Sequence, residues 1–184
     1  MDKWIVLDRD GVINADSDDY IKSAQEWQAL PGSIESISKL YQAGYHVAIA
    51  TNQSGLARGL FDLSELEQMH QKCLSLVEAA GGHIDGIFYC PHGPEDGCPC
   101  RKPKPGMLDA IEVEFGISLN DAYFVGDSEK DLAAAQAKGC RPVLVKTGKG
   151  LSTMAGIADK PQYEGVAIFD DLAAFVDDLL RKDG

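Results

Sequence analysis

The sequence predicts a doubly wound α/β fold: a parallel sheet with helices on both faces. Three observations carry that expectation. Short continuous apolar runs recur along the chain, as strands buried on both faces require. Stretches of helical period separate them. The two types alternate, which is the pattern of βα units rather than of a hairpin protein.

Taken in order, WIVLD (4–8) is the first buried strand. In 33–43, Ile34, Ile37, Leu40 and Tyr41 share a helical face, and Gly44 suits the position just past the helix end. HVAIATN (46–52) is the second strand. Residues 63–80 form a longer helix with Leu66, Met69, Cys73 and Val77 inward. Ser64, with Glu67 three residues later, is its expected N-cap. IDGIFYC (84–90) is the third strand. A loop rich in Pro, Gly and Cys follows over 91–104. The helix of 105–115 has Pro105 near its start and Leu108, Ile111 and Phe115 inward. AYFVGD (122–127) is a strand, 129–138 a helix closed by Gly139, and PVLVK (142–146) a strand. Residues 147–164 read as loop, and VAIF (166–169) and 171–181 supply a last strand and helix. The whole, 1–184, reads as one Rossmann-like domain with no insertion large enough for a cap.

Composition narrows the function. Hydrophobic residues make up 45% of the 184, enough for a core, and the net charge is -12. Such acidity disfavours a nucleic-acid partner, because no basic stripe offsets it. An anionic substrate would need positive charge supplied locally. No apolar run is long enough to span a membrane, and MDKWIVLDRDG lacks the architecture of a signal peptide, so a cytoplasmic protein is expected. The cysteine count of five, without a secretion signal, argues against a disulfide scaffold. No large apolar patch is evident, and a monomer is expected.

In this fold ligands bind beyond the carboxyl ends of the strands. Four polar clusters fall there. They are Asp8-Arg9-Asp10-Gly11, Thr51-Asn52-Gln53-Ser54-Gly55, Arg101-Lys102-Pro103-Lys104-Pro105 and Gly126-Asp127-Ser128-Glu129-Lys130-Asp131. Each alone has an ordinary structural reading, as an acidic loop, a turn, a basic turn or a helix cap. Together they make a site. The carboxylates call for a cation such as Mg²⁺, and Thr51, Arg101 and Lys102 suit a phosphoryl group. A metal and an anion clamp around a carboxylate nucleophile suggest phosphoryl transfer.

The segments DRDGVIN (8–14), TNQSG (51–55), RKPKPGM (101–107) and GDSEKD (126–131) resemble, in order, the four motifs of the haloacid dehalogenase superfamily of phosphatases. Their extended forms, with the Cys/His loop before RKP, are similar to the D-glycero-D-manno-heptose 1,7-bisphosphate 7-phosphatases, a cap-less branch related to the histidinol-phosphate phosphatase domain. The resemblance implies Asp8 as nucleophile and Asp10 as general acid and base. It implies Thr51 and Lys102 on the phosphoryl oxygens, and Mg²⁺ held by Asp8, the Asp10 carbonyl and Asp127. Asp131 would orient Lys102 or the metal shell. Arg101 would meet the substrate's other phosphate, while Asn14, Asp16, Tyr20, Asn52, Gln53 and Ser54 would meet sugar hydroxyls or align the loop. The implied reaction removes the 7-phosphate of the heptose bisphosphate, on the way to nucleotide-activated heptose for lipopolysaccharide core or S-layer glycan. Where some relatives carry Lys after the motif-four Asp, this chain has Ser128.

Cys90, His92, Cys98 and Cys100 form a C-x-H-x5-C-x-C pattern, four ligands suited to a closed structural Zn²⁺ site. Such a site would order the 90–100 loop and, through Cys100, position Arg101 and Lys102. Cys73 and Cys140 read as ordinary buried residues, His46 as a strand-rim residue, and His70 as packing. Two non-enzymatic readings compete: a receiver-like signalling domain, which would need its phosphorylated Asp after strand three where Cys90 stands, and a zinc-held interaction module, which would not need Asp8, Asp10, Lys102 and Asp127. Within the enzyme class the rival substrate is histidinol phosphate.

Overall fold

A computed structural model describes residues 3–184. Its six strands are β1 (Lys3–Leu7), β2 (Tyr45–Asn52), β3 (Gly86–Cys90), β4 (Tyr123–Gly126), β5 (Arg141–Val145) and β6 (Ala167–Phe169). They form one sheet in the order β3-β2-β1-β4-β5-β6, with every neighbouring pair parallel. Helices α1 (Ser33–Gln42), α2 (Leu63–Ala79), α3 (Gly106–Phe115), α4 (Glu129–Lys138), α5 (Gly150–Ile157) and α6 (Leu172–Asp183) complete the layers.

The two-residue period of the strands sorts the core onto two faces. Ile5 and Leu7 of β1, Val47 and Ile49 of β2, Val125 of β4 and Val143 and Val145 of β5 pack with α1, α2 and α6. Trp4 and Val6, Ala48 and Ala50, and Phe124 face the other way, against α3 and α4. Leu144 joins Leu132, Ile157 and Tyr163 near α5. The small Ala48 and Ala50 let α3 lie close to the sheet centre, with Met107, Leu108 and Ile111 against them.

Three local expectations are corrected. The N-cap of α2 is Asp62, whose carboxylate accepts the Glu65 N–H at 2.9 Å while Glu65 Oε2 accepts the Asp62 N–H at 2.9 Å. The capping-box spacing occurs twice, two residues apart, at Asp62/Glu65 and Ser64/Glu67; the earlier pair wins, with a carboxylate as the acceptor. Tyr41 is exposed, its ring tilted on His83 at the end of α1, so the inner stripe stops at Leu40. Residues 147–164 are not all loop. They contain α5 and a 3₁₀ turn, Pro161–Tyr163, which carry too few buried apolar residues to show a helical period.

The sheet reverses direction of growth at β1, which has β2 on one side and β4 on the other. Asp8 follows β1 and Asp127 follows β4, so this topological switch brings two carboxylates face to face.

Candidate active site

A cleft of about 580 Å³ opens at this point. It is lined by Asp8, Asp10, Thr51, Lys102, Asp127 and Asp131, with Asp16, Tyr20, Asn52, Gln53, Ser54 and Arg101 around them. All the sequence-selected residues of the phosphoryl and magnesium sets therefore converge.

Lys102 is the central cation. It is 3% exposed and reaches back under the sheet end to donate to Asp8 Oδ1 at 2.9 Å and to the Ala50 carbonyl at 2.8 Å. Its Nζ also meets Asp131 Oδ1 at 2.7 Å as a close ion pair. Burial disfavours the Lys102 charge, but Asp131 and Asp8 outweigh it and raise the ammonium above its ordinary range. Asn52 fixes the backbone beneath: its Oδ1 accepts the Lys102 N–H at 3.0 Å and its Nδ2 donates to the Lys102 carbonyl at 3.2 Å. The second oxygen of Asp131 accepts from the N–H groups of Asp127 and Ser128 and from the Ser128 hydroxyl. Both Asp131 oxygens are thus engaged by the protein, which suits orientation of Lys102 more than ligation.

The carboxylates exceed the cations. Burial, and then Asp131, raise Asp8 well above the usual carboxylate range. Burial and Asp131 raise Asp127 to about 7, against the Lys149 N–H that donates to its Oδ2 at 2.8 Å. Carboxylate oxygens of Asp8, Asp127 and Asp131 lie within 4.8 Å of one another. A buried, oxygen-only, charge-crowded set of this kind fits a hard divalent cation such as Mg²⁺. Two glycines make room for the Asp127 carboxylate. Gly11 has φ +83, and a Cβ there would sit 2.0 Å from Asp127 Oδ2; Gly148 has φ +58, and a Cβ would sit 2.3 Å from the same oxygen.

Asp10 is anchored from three sides. Its Oδ1 accepts from Arg9 Nε at 3.0 Å, Arg9 Nη2 at 2.9 Å and Asn14 Nδ2 at 2.8 Å. Its Oδ2 accepts from Gln53 Nε2 at 3.2 Å, and the same Gln53 nitrogen donates to Thr51 Oγ1 at 2.9 Å. Burial opposes ionisation of Asp10, but the Arg9 charge and the hydrogen bonds of Asn14, Arg9 and Gln53 hold it below the usual range. Asn14 is fully buried behind Asp10 and is not among the residues that line the cleft, a placement that favours aligning the loop.

Two lysines of the cleft were given no role in the sequence. Lys130 and Lys149 line the cleft with Arg101, and Lys149 Nζ stands 3.7 Å from Asp16. Burial, then the charges of Arg101 and Lys149, lower Lys130. Lys149 lies in the stretch without hydrophobic period, and Lys130 belongs to the strand-four cluster with no role of its own assigned there. His70, expected as packing, is buried with Nε2 3.3 Å from Arg9 Nη1.

At the cleft edge Cys90 Sγ lies 3.6 Å from Cys98 Sγ, 3.1 Å from Cys100 Sγ and 3.5 Å from His92 Nδ1, and Cys100 Sγ is 3.2 Å from His92 Nδ1. Bonds of the usual Zn–S length put tetrahedral S···S edges at roughly 3.8 Å, so the set fits zinc with slight expansion. Arg101 Nη1 donates to the His92 carbonyl at 3.4 Å, which ties the cleft arginine to the same loop. Cys73 and Cys140 are buried, and burial pushes each thiol up to about 12. His46 pairs with Asp85 at 2.9 Å at the strand rim, as expected.

Comparison with known proteins agrees with this geometry. A HAD-hydrolase-like family model matches residues 99–175. A D-glycero-beta-D-manno-heptose-1,7-bisphosphate 7-phosphatase of Pseudomonas aeruginosa is 58% identical over 96% of this chain and 97% of its own. The enzyme of the same name from Bordetella bronchiseptica is 50% identical over 98% of this chain and 99% of its own. The crystal structure of D,D-heptose 1,7-bisphosphate phosphatase from B. bronchiseptica, complexed with magnesium and phosphate, superposes with a TM-score of 0.93 at 50% identity, over 98% of this chain and 99% of that one. That of Burkholderia thailandensis gives 0.75 at 45% identity, over 97% and 98%. With its carboxylates and lysine gathered at the switch point and relatives this similar along nearly their full length, the chain belongs to the D-glycero-beta-D-manno-heptose-1,7-bisphosphate 7-phosphatase family of HAD-like phosphatases.

Proposed function

We propose that this phosphatase removes the 7-phosphate of D-glycero-D-manno-heptose 1,7-bisphosphate through a phosphoryl-enzyme on Asp8. The observation that carries the reading is the meeting of Asp8, Lys102 and Asp127 at one end of the cleft. In the first step an Asp8 oxygen attacks phosphorus in line. The bond from Asp8 to phosphorus forms as the bond from phosphorus to the sugar oxygen breaks, and that oxygen takes a proton from Asp10. In the second step water attacks the phosphorus, Asp10 takes its proton, and inorganic phosphate leaves with Asp8 restored. The arrangement of Asp10 supports the base role directly, since its resting carboxylate is held ionised. For the acid role, a phosphoryl dianion arriving beside it raises its proton affinity by like-charge repulsion.

Thr51 and Lys102 hold the phosphoryl oxygens, and Arg101, with Lys130 and Lys149, faces the second phosphate. Asp8, Asp127 and the Asp10 carbonyl would hold Mg²⁺, which when bound offsets charge on the phosphoryl oxygens. Cys90, His92, Cys98 and Cys100 would hold structural Zn²⁺ and keep the Arg101-Lys102 turn in place. We read residues 1–184 as one such domain, acting in the cytoplasm as a monomer without nucleic-acid or membrane partners. No helix among the described residues is long and apolar enough to cross a membrane.

The test compares kcat/KM for heptose 1,7-bisphosphate and histidinol phosphate with the purified protein. A higher value for the heptose bisphosphate is expected, and a higher value for histidinol phosphate would reverse the substrate assignment.

A further inference from the structure

Among the described residues Arg9 is the second-largest fully buried side chain, at 1% exposure, and it carries a charge. Burying a guanidinium is costly unless every donor is used and a counter-ion is close. Its fork has one carboxylate partner, Asp10, and grips a single oxygen of it: Nε at 3.0 Å and Nη2 at 2.9 Å, both on Oδ1. The remaining arm, Nη1, points away from the cleft to His70 Nε2 at 3.3 Å, on α2. Arginine only donates, so this ring nitrogen must accept, which puts the imidazole proton on Nδ1. The His70 ring is itself seated near Tyr89, with centroids 6.0 Å apart.

The consequence lies in which Asp10 oxygen is free. Oδ1 is filled by Arg9 and Asn14, whereas Oδ2 has only the 3.2 Å bond from Gln53. We propose that Arg9, held from behind by His70, is a positioning residue that turns Asp10 so that Oδ2 alone exchanges protons with the leaving group and with water. His70 extends the positioning chain from α2 to the catalytic loop. The inference rests on the acid-base role proposed for Asp10.

The test separates positioning of an acid from support of the fold. Departure of a sugar alkoxide needs a proton, whereas departure of p-nitrophenolate does not. The value of kcat/KM covers events only up to that departure. We therefore compare kcat/KM on heptose bisphosphate and on p-nitrophenyl phosphate for Asp10→Asn, Arg9→Met, His70→Phe and His70→Gln, with thermal melting as the folding control. Arg9→Met is expected to lose about 10²-fold on the sugar phosphate and several-fold at most on the aryl phosphate. His70→Phe should lose about tenfold with the same selectivity, and His70→Gln, which keeps an acceptor, should recover most of it. Equal losses on both substrates, or no loss, in Arg9→Met and His70→Phe overturn the proposal while Asp10→Asn remains selective. If Asp10→Asn itself is unselective, the acid role of Asp10 fails and the positioning proposal fails with it. Should Arg9→Met not fold, the His70 pair decides alone.

Discussion

Lys102 Nζ stands 2.9 Å from Asp8 Oδ1, joining residues 94 apart in sequence. The contact places the one buried ammonium of the cleft on the proposed nucleophile. It also leaves that ammonium within reach of a phosphoryl group seated between Asp8 and Thr51. Lys102→Met removes this cation while three carboxylates remain. Activity is expected to fall at least about 10²-fold. In metal-free protein the variant should unfold about 3–5 kcal/mol more easily, because carboxylates are left without their counter-charge. Turnover and urea unfolding with and without Mg²⁺ measure both. An active variant of parental stability would remove Lys102 from the account.

Gly148→Ala should disturb Asp127 with no change of charge. A methyl at that position would collide with the Asp127 carboxylate, on a backbone with φ +58. The Mg²⁺ concentration for half-maximal activity is expected to rise by roughly tenfold or more, with a stability cost of about 1–3 kcal/mol. An unchanged Mg²⁺ requirement would contradict the reading of Asp127 as a ligand.

The proposed zinc site has a separate signature. Metal analysis of protein purified without chelator should find about one zinc per chain. Cys98→Ser should lower that content and the melting temperature. It should also reduce turnover through Arg101 and Lys102, which follow directly on Cys100. A zinc-free parent protein of full activity would show that the thiols and His92 only pack.

The burial of His70 should give the protein a pH dependence of definite sign. Burial and the Arg9 charge lower its pKa from 6.5 to about 3, so the folded chain keeps the ring neutral where the unfolded chain protonates it. This contribution to stability is fully present above pH 6.5. It is lost as pH falls toward 3, with a slope of up to about 1.4 kcal/mol per pH unit. Urea unfolding of the parent and of His70→Gln across this range checks it, since the carboxylate contributions are common to both chains. The variant should show the shallower acid loss, and equal slopes would contradict the buried neutral ring.

Much of this was legible in the sequence because strand period and strand-end chemistry are local. Asp8, Asp10, Thr51 and Asp127 stand at the ends of apolar runs, Lys102 in the basic turn of the loop after the third, and Cys90 to Cys100 show by their spacing. What escaped depends on tertiary approach. His70 looks like a helix residue beside an apolar stripe until α2 is laid against Arg9. Asn52, a plausible sugar contact in sequence, also holds the Lys102 backbone while it lines the cleft. Lys149 sits in a stretch with no hydrophobic period, and its backbone N–H reaches Asp127 only because Gly148 and Gly11 let the chains touch. The α2 cap was displaced because two capping-box patterns overlap and sequence alone does not rank them.

The central claim is covalent: the phosphoryl group passes through Asp8. Asp10→Asn mixed with p-nitrophenyl phosphate, acid-quenched and digested, tests it by mass spectrometry. With no proton needed for departure and no base for hydrolysis, the phosphoryl-enzyme should accumulate. The account predicts a burst of about one nitrophenolate per chain and the mass of one phosphoryl group on the peptide containing Asp8. Release of nitrophenolate with that peptide unmodified, or with the phosphoryl group on another residue, would contradict it.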